Sequence, residues 1–214
     1  MTVWTIDAEP ATGGEEVARR LAEGADVPLV DGQFSVALAL ALGTTVAGAR
    51  SLERSAGGWF VRRGLLLAGS TRAAPEAMQE LARLERCGPE LARAAREAAR
   101  APCVILGRAA YVALANHPGA RHVRIRAPRD WRVRRLAAER CIPLRRARWE
   151  LARADRRRCA AARRVFRHDL RDVAPFHLVC DRSRLSIAAV VDLLLLLGGR
   201  ALAGEPAREL GVGS

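Results

Sequence analysis

Three stretches of the chain carry residue types and spacings suited to handling phosphate. The first is at the start. Val3-Trp4-Thr5-Ile6 reads as a short buried strand, and Asp7-Ala8-Glu9-Pro10-Ala11-Thr12-Gly13-Gly14 as the loop that leaves it. Glu15 to Glu23 follows as a helix with Val17, Ala18, Leu21 and Ala22 along one side. A glycine-containing turn between strand and helix points backbone N–H groups at an anion, and the helix dipole assists. Glu15 and Glu16 also suit the positive end of that dipole. The loop does not match GxxxxGK[ST], and an ordinary strand-to-helix turn accounts for a double glycine equally well. The second stretch is Leu106-Gly107-Arg108, directly after the apolar run Cys103-Val104-Ile105-Leu106. An arginine at a strand's carboxyl end can grip a phosphate with two parallel N–H bonds. The same position also suits a surface arginine whose stem lies along the strand. The third is Ala154-Asp155-Arg156-Arg157-Arg158, in which Asp155 and Arg158 share a helix face and could hold a sugar hydroxyl and a phosphate together. A solvated face of intrahelical ion pairs gives the same pattern.

The elements that must position these residues alternate between strand and helix. Pro28-Leu29-Val30-Asp31 reads as a second strand, Cys103–Leu106 as a third, His122–Arg126 as a fourth and Phe176–Cys180 as a fifth. Helices are predicted over Phe34–Leu42, over Pro75–Arg100 around a break at Gly88-Pro89, over Pro128–Arg140, over Pro143–Arg167, and over Ser186–Leu197 with Ser186 as its cap. Gly43 to Thr71 has no clear period. Such alternation implies an α/β fold, a parallel sheet covered on both faces. Ligands of such sheets sit at the carboxyl ends of the strands, so the loops after Ile6, Asp31, Leu106, Arg126 and Cys180 should form the site.

Composition narrows the chemistry. The 214 residues suit one domain, and half are hydrophobic, which excludes a disordered chain. All 36 basic residues are arginine, consistent with the codon bias of a GC-rich genome. Phosphate can therefore be bound only by arginines and backbone amides. Residues 121–171 hold 19 arginines against 5 acids, which accounts for the net charge of +13 and suggests a polyanionic partner. Five cysteines, Cys87, Cys103, Cys141, Cys159 and Cys180, show no pairing or metal spacing and read as reduced thiols in the cytoplasm, with Cys103, Cys141 and Cys180 inside apolar or mixed segments. His117, His122, His168 and His177 read as structural, and no metal site is expected. The apolar run Leu193–Leu197 is far too short to span a bilayer, so no membrane partner is expected.

The order of the pieces resembles the cytidylate kinase-like family. Thr5-Ile6-Asp7 with Gly13-Gly14-Glu15-Glu16-Val17-Ala18 is similar to its opening strand and loop, Pro28-Leu29-Val30-Asp31 to its second strand, and Val104-Ile105-Leu106-Gly107-Arg108 to its third. Arg124-Ile125-Arg126-Ala127-Pro128 with Arg132 and Arg135, Asp155-x-x-Arg158, and Asp181 through Ile187 follow in the family's order. The resemblance covers residues 3–42 and 103–197. It implies a three-layer P-loop NTPase-like domain over residues 1–198. That domain would have a five-stranded parallel sheet, a helical insertion or monophosphate-binding region at 43–100, an arginine-rich helical lid at 143–172, and a tail at 199–214. It further implies ATP-dependent phosphorylation of a nucleoside monophosphate, CMP by analogy, with Mg²⁺. Thr12, Gly13, Gly14, Glu15 and Glu16 would form the phosphate loop. Asp31, Arg108, Asp155 and Arg158 would bind the acceptor. Arg132, Arg135, Arg156 and Arg157 would stabilise charge on the transferred group.

The chain also departs from the family pattern. Cytidylate kinases proper carry Lys where Gly14 stands and a magnesium-binding Thr or Ser where Glu16 stands. The kinase-like family lacks that Lys but has Arg where Glu15 stands, and of its Ser-Arg-Glu only Glu9 survives here. Two acids at a phosphate-binding helix start would repel a triphosphate, and a magnesium ion bridging them could offset that. Two other readings stand beside the kinase: a non-catalytic nucleotide-binding or regulatory module, and a nucleic-acid-binding protein using the 121–171 face, which offers Trp131, Trp149 and Phe166 for base stacking.

Overall fold

The structure is a computed structural model that describes residues 1–30, 88–107, 109–165 and 167–199. The helix expected at Phe34–Leu42, the stretch Gly43–Thr71, Asp31, Arg108 and the tail after Gly199 lie outside the described residues. The described elements are β1 (Val3–Ala8), α1 (Gly14–Gly24), β2 (Leu29–Val30), a helical stretch α2 over 88–98, β3 (Cys103–Leu106), α3 (Ala110–Ala113), β4 (Ala120–Arg126), α4 (Arg129–Arg140), α5 (Leu144–Val165), β5 (Leu178–Asp181) and α6 (Ile187–Gly199). The five strands pair in the order β2-β3-β1-β4-β5, every pair parallel. From β1 the chain leaves toward β2 on one side, and from β3 toward β4 on the other. This switch opens a crevice at the carboxyl ends of two neighbouring strands, β1 and β3.

Strand alternation decides what each face buries. Trp4 and Ile6 of β1, Val104, Val123, Ile125 and Cys180 face α1 and α6, packing on Val17, Leu21, Val190 and Leu194. Val3, Cys103, Ile105 and Ala120 face the opposite way, onto α2 through Leu91, Ala95 and Ala99, and onto α3 through Ala110 and Leu114. The result is three layers, helix, sheet, helix. On the α2–α3 side the β1–β4 register pairs Val3 with Ala120, Thr5 with His122 and Asp7 with Arg124. One buried row therefore turns from apolar to polar to ionic as it approaches the crevice. Helices α4 and α5 form a separate hairpin over that end, held by Val133, Leu136, Ala147 and Leu151, with Ala11 of the first loop against them.

Several boundaries differ from those read in the sequence. β1 runs two residues further, so Asp7 and Ala8 belong to the strand, and β4 begins at Ala120. Among the described residues the second strand is Leu29–Val30, and the Pro28 carbonyl before it accepts a bond from Val104 N–H at 3.0 Å. The fifth begins at Leu178, two residues later than expected. The one-turn helix α3 is too short to leave a period in the sequence. Ser186 caps α6 as expected, its Oγ accepting from Ala189 N–H at 3.0 Å. Cys103 and Cys180 are buried, whereas Cys141 is exposed: it ends α4 in a left-handed conformation (φ 50°) and turns away from the core. Among the described residues no helix is long and apolar enough to cross a membrane.

Midway along the buried row, His122 Nδ1 lies 2.7 Å from Thr5 Oγ1, and His122 N–H donates to His177 Nδ1 at 2.9 Å. Burial first, and His177 second, lower the His122 pKa to about 4. The folded state therefore holds His122 neutral where the unfolded chain, with a pKa near 6.5, binds a proton. Its stabilising contribution is complete above about pH 6.5 and is lost as pH falls toward 4. In urea titrations across that window, wild type should lose roughly 2–3 kcal/mol more stability than His122→Gln. Parallel curves for the two proteins would remove this assignment.

Candidate active site

The site is built from Asp7 outward. Its position at the end of β1 is fixed by register, directly across from Arg124 on β4. Both are 5% exposed, and Arg124 Nη1 donates to Asp7 Oδ2. The same oxygen accepts from Arg158 Nη2 of α5 at 2.5 Å. Arg124 Nη2 donates to the Leu170 carbonyl at 3.0 Å, and its guanidinium lies 5.5 Å from the centre of the Phe176 ring. One carboxylate thus joins the sheet, the start of the phosphate loop and the α5 helix. Beside it Tyr111 is buried against Phe176 and His168, at 4.5 and 5.3 Å between ring centres, and its hydroxyl has no hydrogen-bond partner. Burial, with the Asp7 charge adding to it, holds that hydroxyl protonated.

Glu9 makes a second junction. Its N–H donates to the Ile125 carbonyl at 2.9 Å, and its Oε2 accepts from Ala127 N–H at 3.2 Å. Arg132 of α4 reaches the same carboxylate at 3.4 Å, donates to the Ala127 carbonyl at 3.1 Å, and forks onto Asp155 of α5 at 2.9 and 3.1 Å. Arg132 is 7% exposed, so this is an interior contact that locks α4 to α5 and both to the loop.

Between these junctions the loop turns tightly. Thr12 Oγ1 donates to the Glu9 carbonyl at 2.6 Å, and Gly13 takes φ 77°, the left-handed region open to glycine at little cost. No side chain caps α1. The first-turn amides of a helix have no intrahelical partner, so here they are left for an external acceptor. Gly14 packs flat against β1: a Cβ there would stand 2.1 Å from the Ala8 Cβ. That position therefore has no room for a side chain. Arginines surround the loop. The Arg135 guanidinium lies 3.0 Å from where a Gly13 Cβ would be, and Arg182 Nε donates to the Thr12 carbonyl at 3.2 Å. The two acids at the helix start have different surroundings. Glu16 is held by Arg19 and Arg20 one turn on, and those hydrogen bonds lower its pKa to about 2, while Glu15 is exposed. Arginines of the same helix offset the repulsion. Among the described residues no group of His, Cys, Asp and Glu could hold a metal ion.

Of the residues singled out in the sequence, Thr12, Gly13, Gly14, Arg132, Arg135, Asp155 and Arg158 come together around the end of β1. Asp155 is engaged by Arg132, and Arg158 by Asp7. Arg156 is exposed. Arg108, Asp31 and the Arg157 side chain lie outside the described residues. Sequence reasoning missed Asp7, read there as loop, and Arg124 and Arg182. The register rule flags the first two once β1 and β4 are paired. Nothing in the sequence flags Arg182.

A model of the cytidylate kinase-like family matches residues 3–184. No curated protein matches. Among solved structures, an uncharacterized protein from Eubacterium ventriosum ATCC 27560 superposes with a TM-score of 0.62 at 16% identity, covering 92% of this chain and 98% of that one. A shikimate kinase from Bacteroides thetaiotaomicron gives a TM-score of 0.49 at 13% identity, covering 93% and 99%. The fold is a three-layer α/β arrangement around a five-stranded parallel sheet.

The contacts of Asp7 rank its partners. Asp7→Ala strands a buried Arg124 and should cost about 3–5 kcal/mol of unfolding free energy. Arg158→Ala leaves the Asp7–Arg124 pair intact and should cost no more than about 1.5 kcal/mol. Chemical denaturation measures both, and equal losses would contradict this ranking.

Proposed function

The chain belongs to the cytidylate kinase-like family, and on that premise we propose that it transfers a phosphoryl group from ATP to a nucleoside monophosphate, with CMP as the first acceptor to test. The observation that carries this reading is the convergence of Arg124 from β4, Arg132 and Arg135 from α4, Arg158 from α5 and Arg182 from the segment after β5 on one strand end and its glycine loop. Phosphoryl transfer asks mainly for positioned cations and donors, because negative charge spreads over the transferred oxygens. The uncapped amides at the start of α1 would take phosphate oxygens of the donor, with Arg135 beside Gly13. Arg158 and Arg132 are held by Asp7, Glu9 and Asp155, so an incoming phosphate would compete with carboxylates for them. Such exchange keeps the arginines oriented before substrate arrives. By resemblance Arg108 joins Arg158 on the monophosphate, Asp31 and Asp155 lie toward the sugar, and Arg156 and Arg157 approach the transferred group. Family kinases generally use ATP with Mg²⁺. Among the described residues no three His, Cys, Asp or Glu side chains gather as a metal site, and no step here is assigned to the ion.

A second reading, nucleotide binding without turnover, draws support from Gly14, whose packing leaves the loop without a lysine. Phosphate transfer from ATP to CMP, dCMP and UMP separates the two. A kinase should show acceptor-dependent ADP formation, with Arg158→Ala slowed roughly 100-fold. Calorimetric binding of ATP and CMP with no transfer selects the second reading. Equal activity in wild type and Arg158→Ala removes the site assignment.

A further inference from the structure

The loop's missing positive charge has a structural substitute. Gly14 cannot carry a side chain, and the chain contains no lysine. Yet a buried cation stands behind the loop. Arg182 is 7% exposed. Its backbone is fixed by the N–H bond to the Arg126 carbonyl at 2.8 Å, which extends the β4–β5 pairing by one residue. Its Nε is used on the Thr12 carbonyl. Among the described residues its two terminal nitrogens have no hydrogen-bond acceptor or carboxylate partner, and they are not sealed from solvent.

Arg182 also has a second cation for a neighbour. Its guanidinium lies 6.0 Å from the centre of the Trp131 ring, and that of Arg135 lies 5.5 Å from the same ring. Arg135 is paired on its outer side with Glu139 and reaches Gly13 on its inner side. Burial first, and Arg135 second, make the Arg182 charge harder to keep, lowering its pKa. A buried arginine without a counter-ion, next to another arginine, is costly to a folded protein. The arrangement becomes favourable when an anion of more than one charge sits between the guanidiniums and the uncapped amides of α1.

We infer that Arg182, together with Arg135 and the ring of Trp131, seats the polyphosphate of the donor nucleotide and brings to the loop the charge that a loop lysine would supply. The identity of the donor rests on the phosphoryl-transfer reading; the anion seat does not. The acceptor side differs in kind, because around Arg158 and Arg132 the carboxylates of Asp7, Glu9 and Asp155 already share the positive field.

The test is calorimetric titration of wild type, Arg182→Gln and Arg182→Lys with inorganic tripolyphosphate, ATP and adenosine, with ligand-free thermal unfolding of each. Arg182→Gln should weaken tripolyphosphate and ATP about 10- to 100-fold. Arg182→Lys should recover part of that, and adenosine binding should not change. Removing an uncompensated cation should leave the ligand-free midpoint of Arg182→Gln unchanged or raised. Tripolyphosphate binding within twofold of wild type in Arg182→Gln would overturn the inference, as would wild type that binds no tripolyphosphate. Weakened binding with a lowered midpoint in both variants would assign Arg182 to the fold instead. Tripolyphosphate binding that depends on Arg182, in a protein that phosphorylates no acceptor, upholds the seat and removes the kinase reading. Transfer that survives Arg182→Gln undiminished removes the seat and leaves the kinase reading standing.

Discussion

The carboxylate of Asp7, buried at the last turn of the sheet between Arg124 and Arg158, is the constraint on which the rest of the site depends. A charge there is tolerable only if it is paired, and pairing takes one guanidinium from the neighbouring strand and one from a distant helix. The first contact is nearly free of further ordering, because parallel register places Arg124 opposite Asp7. The second fixes where α5 lies. Through Asp155 and Arg132 the same ordering passes to α4, and through Glu9 it returns to the phosphate loop. The loop is therefore braced on several sides by ionic contacts in a region where few apolar groups are available.

This changes the meaning of the basic stretch. Read linearly, residues 121–171 form a strongly cationic segment that could lie along any polyanion. In three dimensions Arg124 and Arg132 are interior residues and Arg158 is largely so, each committed to an acid, and Arg140 and Arg146 share Glu150 on the outside. A few of these charges are turned into one crevice, while most, among them Arg126, Arg129, Arg134, Arg145, Arg148 and Arg171, are exposed to solvent. The inward arginines suit a small, multiply charged anion, and the outward ones form a separate cationic face.

The phosphate loop shows how backbone packing limits chemistry. Close contact between Gly14 and Ala8 brings α1 tight against β1, which aims the uncapped amides at the crevice and closes the position where a loop side chain would stand. Positive charge then has to come from elsewhere in the chain, and the surrounding arginines belong to α4, α5 and the segment after β5. Glu16, which looked repulsive, is covered by Arg19 and Arg20 of its own helix, a pairing that spacing of three and four makes possible on any helix surface.

The sequence by itself determined the class of fold and most of its elements. Apolar runs of four or five residues separated by helical stretches can bury themselves only in a parallel sheet covered on both faces, and β3, α1, α4 and the Ser186 cap follow from that local chemistry. It also pointed to Gly13, Asp155 and Arg158, because loop glycines and helix-spaced charges have local signatures, and the family resemblance added Arg132 and Arg135. What only the tertiary structure decided is which charges meet. Asp7 and Arg158 are 151 positions apart, and Arg182 is 170 from Thr12, so no local period links them. The one-turn α3 escaped for the complementary reason that it is shorter than the repeat by which a helix is recognised. Strand register, burial and the crossing of the hairpin bring these groups together, and those are properties of the packed chain.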